Sequence, residues 1–208
     1  MYRQLAKDTA AQYDVPLDVE GGLEAFKEMR DRAVPMIVDG VQFINQAYND
    51  GKRIITEGAN AAMLDVDYGT YPFVTSSSTT AGGVSTGLGL APSKLECVIG
   101  VMKAYTTRVG AGPFPTELTD ERGGGDRELN SHETDIGLQM QNVGFEYGVT
   151  TGRKRRCGWF DAVVGQYSHM INDYSSINLT KLDVLDDLEE LKIGERHDSN
   201  ATMHALWP

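Results

Sequence analysis

Apolar residues recur at three- and four-residue steps between Asp31 and Asn49. Val34, Ile37, Val38, Val41, Ile44 and Tyr48 fall on one face of a predicted helix, with Gly51 as its stop. A short strand-like run, Arg53-Ile54-Ile55-Thr56, follows and ends at Glu57-Gly58-Ala59-Asn60. Tyr68 to Pro92 is dense in Gly, Ser, Thr and Pro. That composition predicts a loop of roughly 25 residues, and loops so long inside compact domains tend to be functional. A helix is predicted from Pro92, with proline in its first turn and Leu95, Val98, Ile99 and Met102 on one face. A strand through Ala104 to Val109 then runs into Gly110-Ala111-Gly112-Pro113. Phe160, Val163, Val164, Tyr167, Met170 and Tyr174 give a helical period over Trp159 to Tyr174, ahead of a strand at Ile177-Asn178-Leu179-Thr180. Helices alternating with short apolar strands predict an α/β sheet. In such sheets ligands sit beyond the carboxyl ends of strands, and three of the segments discussed next begin where a predicted strand ends.

Composition narrows the partners. The chain has 208 residues, 40% hydrophobic and 24% charged, which is globular rather than disordered. Its formal net charge of -11 repels phosphate on average, so neither nucleic acid nor a membrane surface is an expected partner. The charge is uneven: Arg153-Lys154-Arg155-Arg156 is a basic island, while Asp183 to Glu190 is acidic. An anionic ligand therefore has one favoured address. Cys97 and Cys157 form no CxxC pair and are read as reduced, buried or partly buried thiols. The four histidines show no metal-binding spacing, so no metal site is expected from them. No run is long and apolar enough for a bilayer, and Met1-Tyr2-Arg3-Gln4 lacks a secretion-signal core; the expected location is cytoplasmic.

Four segments carry chemistry. Thr180-Lys181-Leu182-Asp183 resembles the Asn/Thr-Lys-x-Asp element of GTP-binding proteins. A carboxylate there accepts from guanine N1–H and the exocyclic amine, a donor pair that adenine lacks. The competing reading is a plain strand end entering an acidic helix. In Val149-Thr150-Thr151-Gly152-Arg153-Lys154-Arg155-Arg156, two hydroxyls precede a glycine and several guanidinium groups. Guanidinium matches carboxylate and phosphate in bidentate fashion; the plainer alternative is a solvated basic turn. Arg108-Val109-Gly110-Ala111-Gly112-Pro113-Phe114-Pro115-Thr116-Glu117 allows close backbone approach to a ligand, or is simply a turn held by two prolines. Finally, Asn60 offers a donor and an acceptor to a purine edge, and Thr75 to Ser77 offer donors to a phosphate. Asp65 and Asp67 are read as one hydrogen-bonded carboxylate and one exposed one rather than as a metal site.

Taken in order, EGAN, LDVDYGTYPFVTSS, TGLGLAP, KAYTTRVGAGPFPTE, GVTTGRKRRCGW and TKLDVLD resemble the adenylosuccinate synthetase family over about Asp18 to Gly194. The resemblance implies the central and downstream part of a mixed β-sheet with flanking helices, related to P-loop NTPases. It implies a partial synthetase domain over 1–194 and an unaligned tail over 195–208. The family joins IMP and L-aspartate, driven by GTP with Mg²⁺, through 6-phosphoryl-IMP, and is homodimeric. By resemblance, Asn60, Thr75, the Val109 backbone and Arg153 are expected at IMP. Val149, Thr150, Thr151, Gly152, Arg153, Lys154 and Arg155 are expected to form the aspartate loop. Arg155, Lys181, Leu182 and Asp183 are expected at GTP.

The family's GDEGKGK phosphate loop, which carries the catalytic base and a Mg²⁺ ligand, and the GH pair with its catalytic histidine are not among these 208 residues. Its neighbour-subunit arginine for IMP is also missing. No catalytic acid or base is therefore assigned here, and the chain alone is expected not to complete the reaction. The alternative function is that of a non-catalytic nucleotide-binding remnant.

Overall fold

A computed structural model of the chain describes residues 1–118, 131–150 and 152–197. The chain divides into two compact units, Met1–Lys52 and Arg53–Pro208.

The first unit is helical. Helix α1 (Tyr2–Gln12) is followed by α2 (Val19–Ala33) and α3 (Gly40–Asn49). Asp18 caps α2 by accepting from the Gly21 N–H at 2.9 Å, and Asp39 caps α3 by accepting from the Gln42 N–H at 3.0 Å. The single helix expected over Asp31 to Asn49 is thus two helices. Pro35 has no N–H to continue the ladder, so α2 gives way to a 3-10 turn at Val34–Met36 and to extended backbone at Ile37. The periodic match across Pro35 was fortuitous: Ile37 and Val38 are exposed.

The second unit holds the strands. After α4 (Gly82–Leu88) come β1 (Ile99–Lys103), β2 (Thr106–Arg108), α5 (Ser131–Val143), β3 (Arg156–Gly158), β4 (Phe160–Asp161), α6 (Ala162–Asn172), β5 (Ser176–Thr180) and β6 (Ile193–Gly194). Pairing is mixed: β1 with β5 and β4 with β6 are parallel, and β2 with β3 is antiparallel. This is an α/β fold. The helix expected from Pro92 shrinks to a 3-10 turn at Pro92–Lys94, and of its apolar residues Ile99 and Met102 enter β1. Pairing overrides the helical period there. Gly100 lies opposite Ile177 and against the Tyr174 ring, which leaves no room for a Cβ. Residues 53–56, expected as a strand, pair with no strand among the described residues, and Ile55 is almost fully exposed. Conversely, α4 lies inside the expected 68–92 loop and ends at Gly89 with φ 67°, a left-handed stop suited to glycine.

The core consists of Tyr105, Leu118, Met140, Cys157, Trp159, Val184 and Leu185. These residues lock β2, β3, α5 and the 3-10 turn Leu182–Leu185 together, and the chemistry-bearing loops leave from those elements. Cys157 is buried, and its enclosure pushes the thiol up to about 12, whereas Cys97 is exposed rather than buried. Gly158 sets how closely β3 approaches the chain at Thr116, because a Cβ there would run into the Thr116 carbonyl. Gly158→Ala is expected to cost about 2–3 kcal/mol by overpacking, read as a lower midpoint in urea unfolding.

Candidate functional site

Two hydrogen-bonded assemblies are anchored on the β2–β3 ladder. In the antiparallel register Arg108 lies opposite Arg156. Val109 therefore leaves the ladder at the end where Arg155 enters it.

The first assembly is built on Asp65, whose side chain is enclosed. Its Oδ1 accepts from the N–H groups of Asp67 (2.9 Å) and Tyr68 (3.0 Å), and its Oδ2 from those of Thr79 (2.7 Å) and Thr80 (3.3 Å). Burial alone would raise this carboxyl, but the four backbone donors outweigh it and hold it below its ordinary value. Asp67 is exposed, so the two aspartates play the unequal parts expected. The Thr79 hydroxyl donates to the Ala61 carbonyl at 2.8 Å, beside Asn60, and the Thr75 N–H donates to the Leu64 carbonyl at 2.8 Å. Asn60 is exposed in the left-handed region at φ 67°, which asparagine tolerates better than most residues. Arg108 ties this loop to the ladder: it donates to the Thr70 hydroxyl (2.9 Å), the Phe73 carbonyl (3.2 Å) and the Ala111 carbonyl (3.1 Å). Asn60, Thr75 and Val109 thus lie on loops bonded to one another, and Val109 is half exposed.

The second assembly is built on Glu146. Its buried carboxylate accepts from Lys103 Nζ (2.7 Å), the Tyr105 hydroxyl (2.7 Å) and Arg155 Nη1 (2.9 Å). Burial opposes its ionisation, but those three donors hold it below its ordinary value. Burial also pushes Lys103 down, with Glu146 countering, and raises the Tyr105 hydroxyl. The basic loop closes on itself nearby. The Gly148 N–H donates to the Arg153 carbonyl and the Gly152 N–H to the Gly148 carbonyl, both at 2.8 Å, and Tyr147 bridges Lys154. Gly152 makes this turn at φ 63°. Val149, Thr150, Gly152, Arg153 and Lys154 are exposed, Arg155 is half-buried, and Thr151 lies outside the described residues.

The guanine candidate joins the second assembly. β5 ends at Thr180, whose carbonyl accepts from the Ala104 N–H at 2.8 Å. Lys181 is left-handed at φ 64°, and its Nζ donates to the Gly144 carbonyl at 2.6 Å, two residues before Glu146. Leu182 and Asp183 are exposed on a turn pinned by buried Val184 and Leu185.

Sequence reasoning missed Glu146, and took Arg108 and Arg156 only as members of longer candidate segments. Arg156 pairs with Glu117, donates to the carbonyls of Gly110 (3.1 Å) and Gly112 (2.9 Å), and lies over the Phe114 ring. It therefore braces the Gly110–Gly112 turn from inside. The one local signal for Glu146, a glutamate seven positions before the first arginine of the basic island, was not read.

The family model for adenylosuccinate synthetase matches residues 1–208. The chain belongs to the adenylosuccinate synthetase family. It is similar to the adenylosuccinate synthetase of Coprinopsis cinerea, 56% identical over 191 residues that make up 92% of this chain and 41% of that protein. It is also similar to a chloroplastic adenylosuccinate synthetase of Ostreococcus lucimarinus, 50% identical over 94% of this chain and 43% of that protein. Among solved structures it is similar to the fully ligated adenylosuccinate synthetase of Plasmodium falciparum, with a TM-score of 0.76 and 45% identity over 91% of this chain and 42% of that one. The chain thus spans less than half the length of the synthetases it matches.

Proposed function

We propose that this chain supplies the IMP-, aspartate- and guanine-binding segments of a GTP-dependent ligase that joins IMP and L-aspartate into adenylosuccinate. The observation that supports this reading is that the Val109 loop, to which the Asn60–Thr75 segment is bonded, and the Gly148–Arg155 loop leave the ladder at the same end, where Arg108 lies opposite Arg156. Asn60 and the Val109 backbone meet the nucleoside, and Thr75 meets its phosphate. Thr150, Thr151 and Arg153 receive the two carboxylates of aspartate, and Val149, Gly152 and Lys154 form the rest of that loop. Arg155 reaches both aspartate and GTP, while Lys181, Leu182 and Asp183 hold guanine.

The chemistry divides accordingly. The γ-phosphoryl of GTP passes to the 6-oxygen of IMP, the aspartate amine attacks C6, and phosphate leaves. Closing a cationic loop over aspartate excludes water while the phosphorylated intermediate exists, and guanidinium groups stabilise the developing charge. Among the described residues no three His, Cys, Asp or Glu side chains cluster as a cation site. The described residues do not make up a Mg²⁺ site. We further propose a cytoplasmic homodimer; no helix among the described residues is long and apolar enough to cross a membrane.

Titration calorimetry of the 208-residue chain with IMP and with GDP tests the reading. Both nucleotides are expected to bind, with no turnover when IMP, aspartate and GTP are supplied together, because neither GDEGKGK nor the GH pair is among these residues. Failure to bind either nucleotide overturns the site. Normal turnover overturns the expectation that the chain alone is inactive.

A further inference from the structure

Glu146 is deeply buried, yet three side-chain donors from two segments converge on its carboxylate. Lys103 comes from the end of β1, Tyr105 from the core, and Arg155 from the loop proposed to bind aspartate. The backbone repeats the link, since the Arg155 N–H donates to the Glu146 carbonyl at 2.8 Å. A carboxylate this enclosed is retained at a desolvation cost, so its partners must be held well for the arrangement to persist. The hold on Arg155 is incomplete in an informative way. Nη1 is engaged, whereas the buried Nε has no hydrogen-bond partner among the described residues. The bond from Nη1 to Glu146 sets the orientation of the guanidinium from that side. The guanine segment touches the same turn, through Lys181 Nζ on the Gly144 carbonyl.

We propose that Glu146 is a positioning residue: its carboxylate orients Arg155 toward aspartate and GTP and couples the basic loop to the guanine segment. This rests on the reading that Arg155 faces those ligands. Glu146 itself touches neither.

A double-mutant cycle tests it on the full chain, with GTP as the probe in calorimetry. Glu146→Gln keeps shape and removes charge, and is expected to weaken GTP by about tenfold. Arg155→Gln is expected to weaken it at least as much. In the double variant the Glu146 change is expected to have no further effect, because it acts through Arg155. Effects that simply multiply, or a Glu146→Gln chain that binds GTP as the parent does, overturn the proposal. If Arg155→Gln binds normally, the Arg155 ligand assignment fails instead. A second readout needs no ligand: the Arg155 Nε–H resonance is expected to shift in Glu146→Gln while that of Arg153 stays put. An unmoved Arg155 signal overturns the proposal even if GTP never binds. Should Glu146→Gln fail to fold, Glu146→Asp is read in its place, with the same shift expected from its shorter arm.

Discussion

Asp65→Ala is expected to remove about 3–5 kcal/mol of stability and abolish IMP binding, although Asp65 touches no proposed ligand. Its two oxygens satisfy four backbone N–H groups, spread from Asp67 to Thr80. Each such donor left unpaired costs roughly 1–3 kcal/mol, less where water reaches it. The loop also carries Thr75, and through Thr79 it fixes the backbone beside Asn60. Losing the carboxylate therefore loosens together the two residues proposed to meet IMP. Asp65→Asn is expected to do nearly as badly, since an amide nitrogen turned toward those N–H groups presents donors to donors. Asp67→Ala, at an exposed position, is expected to stay within about 0.5 kcal/mol of the parent. Urea unfolding and IMP calorimetry read both effects. The pH dependence has a definite sign. The folded-state value of Asp65 lies below the ordinary 3.8, so its stabilising contribution is present above that value and is lost as pH falls through the folded one. The gap between parent and Asp65→Ala should therefore be constant above about pH 5 and close in stronger acid. A gap that widens in acid would contradict the hydrogen-bonded carboxylate.

How much of this was readable beforehand follows from what each signal depends on. Strands β2 and β5 and helix α6 were legible because alternation or helical period, with turn residues at the ends, is local information. The unequal parts of Asp65 and Asp67 were legible too. Residues 92–102 were not: their apolar spacing fits a helix, and only the partner strand β5 decides for β1. Residues 31–49 failed for the opposite reason, since Pro35 was a local signal outweighed by a pattern that spanned it. The site divides the same way. The candidate residues Asn60, Arg153 and Asp183, all on exposed loops, were picked out by their chemistry in a Gly- and Thr-rich context and by resemblance. The groups that hold those loops are long-range: Arg108 reaches back 38 positions to Thr70, and Lys103 reaches forward 43 to Glu146. Nothing in the spacing of a single sequence encodes such contacts.

The other large effect concerns base choice. Asp183 lies on a turn whose next two residues, Val184 and Leu185, are buried, and whose first side is set by Lys181 bonded to the Gly144 carbonyl. The backbone under Asp183 is thus pinned while its side chain is exposed, which suits the proposed recognition of guanine. Guanine presents two donors on one edge, N1–H and the exocyclic amine, and a carboxylate is acceptor-only. Asp183→Asn replaces one acceptor with a donor that meets the exocyclic amine head-on. Loss of a charge-assisted pair is worth about 1.5–3 kcal/mol, so GDP is expected to bind roughly 10- to 150-fold more weakly. Xanthosine diphosphate presents a carbonyl where guanine has the amine, so its binding should improve in the same variant. Leu182→Ala, at an exposed neighbour without hydrogen-bonding atoms in its side chain, should leave the order of preference unchanged. Calorimetry with the two diphosphates separates a general loosening of the turn, which weakens both, from a change of recognition, which moves them in opposite directions. Unaltered GDP affinity in Asp183→Asn would remove Asp183 from the guanine site.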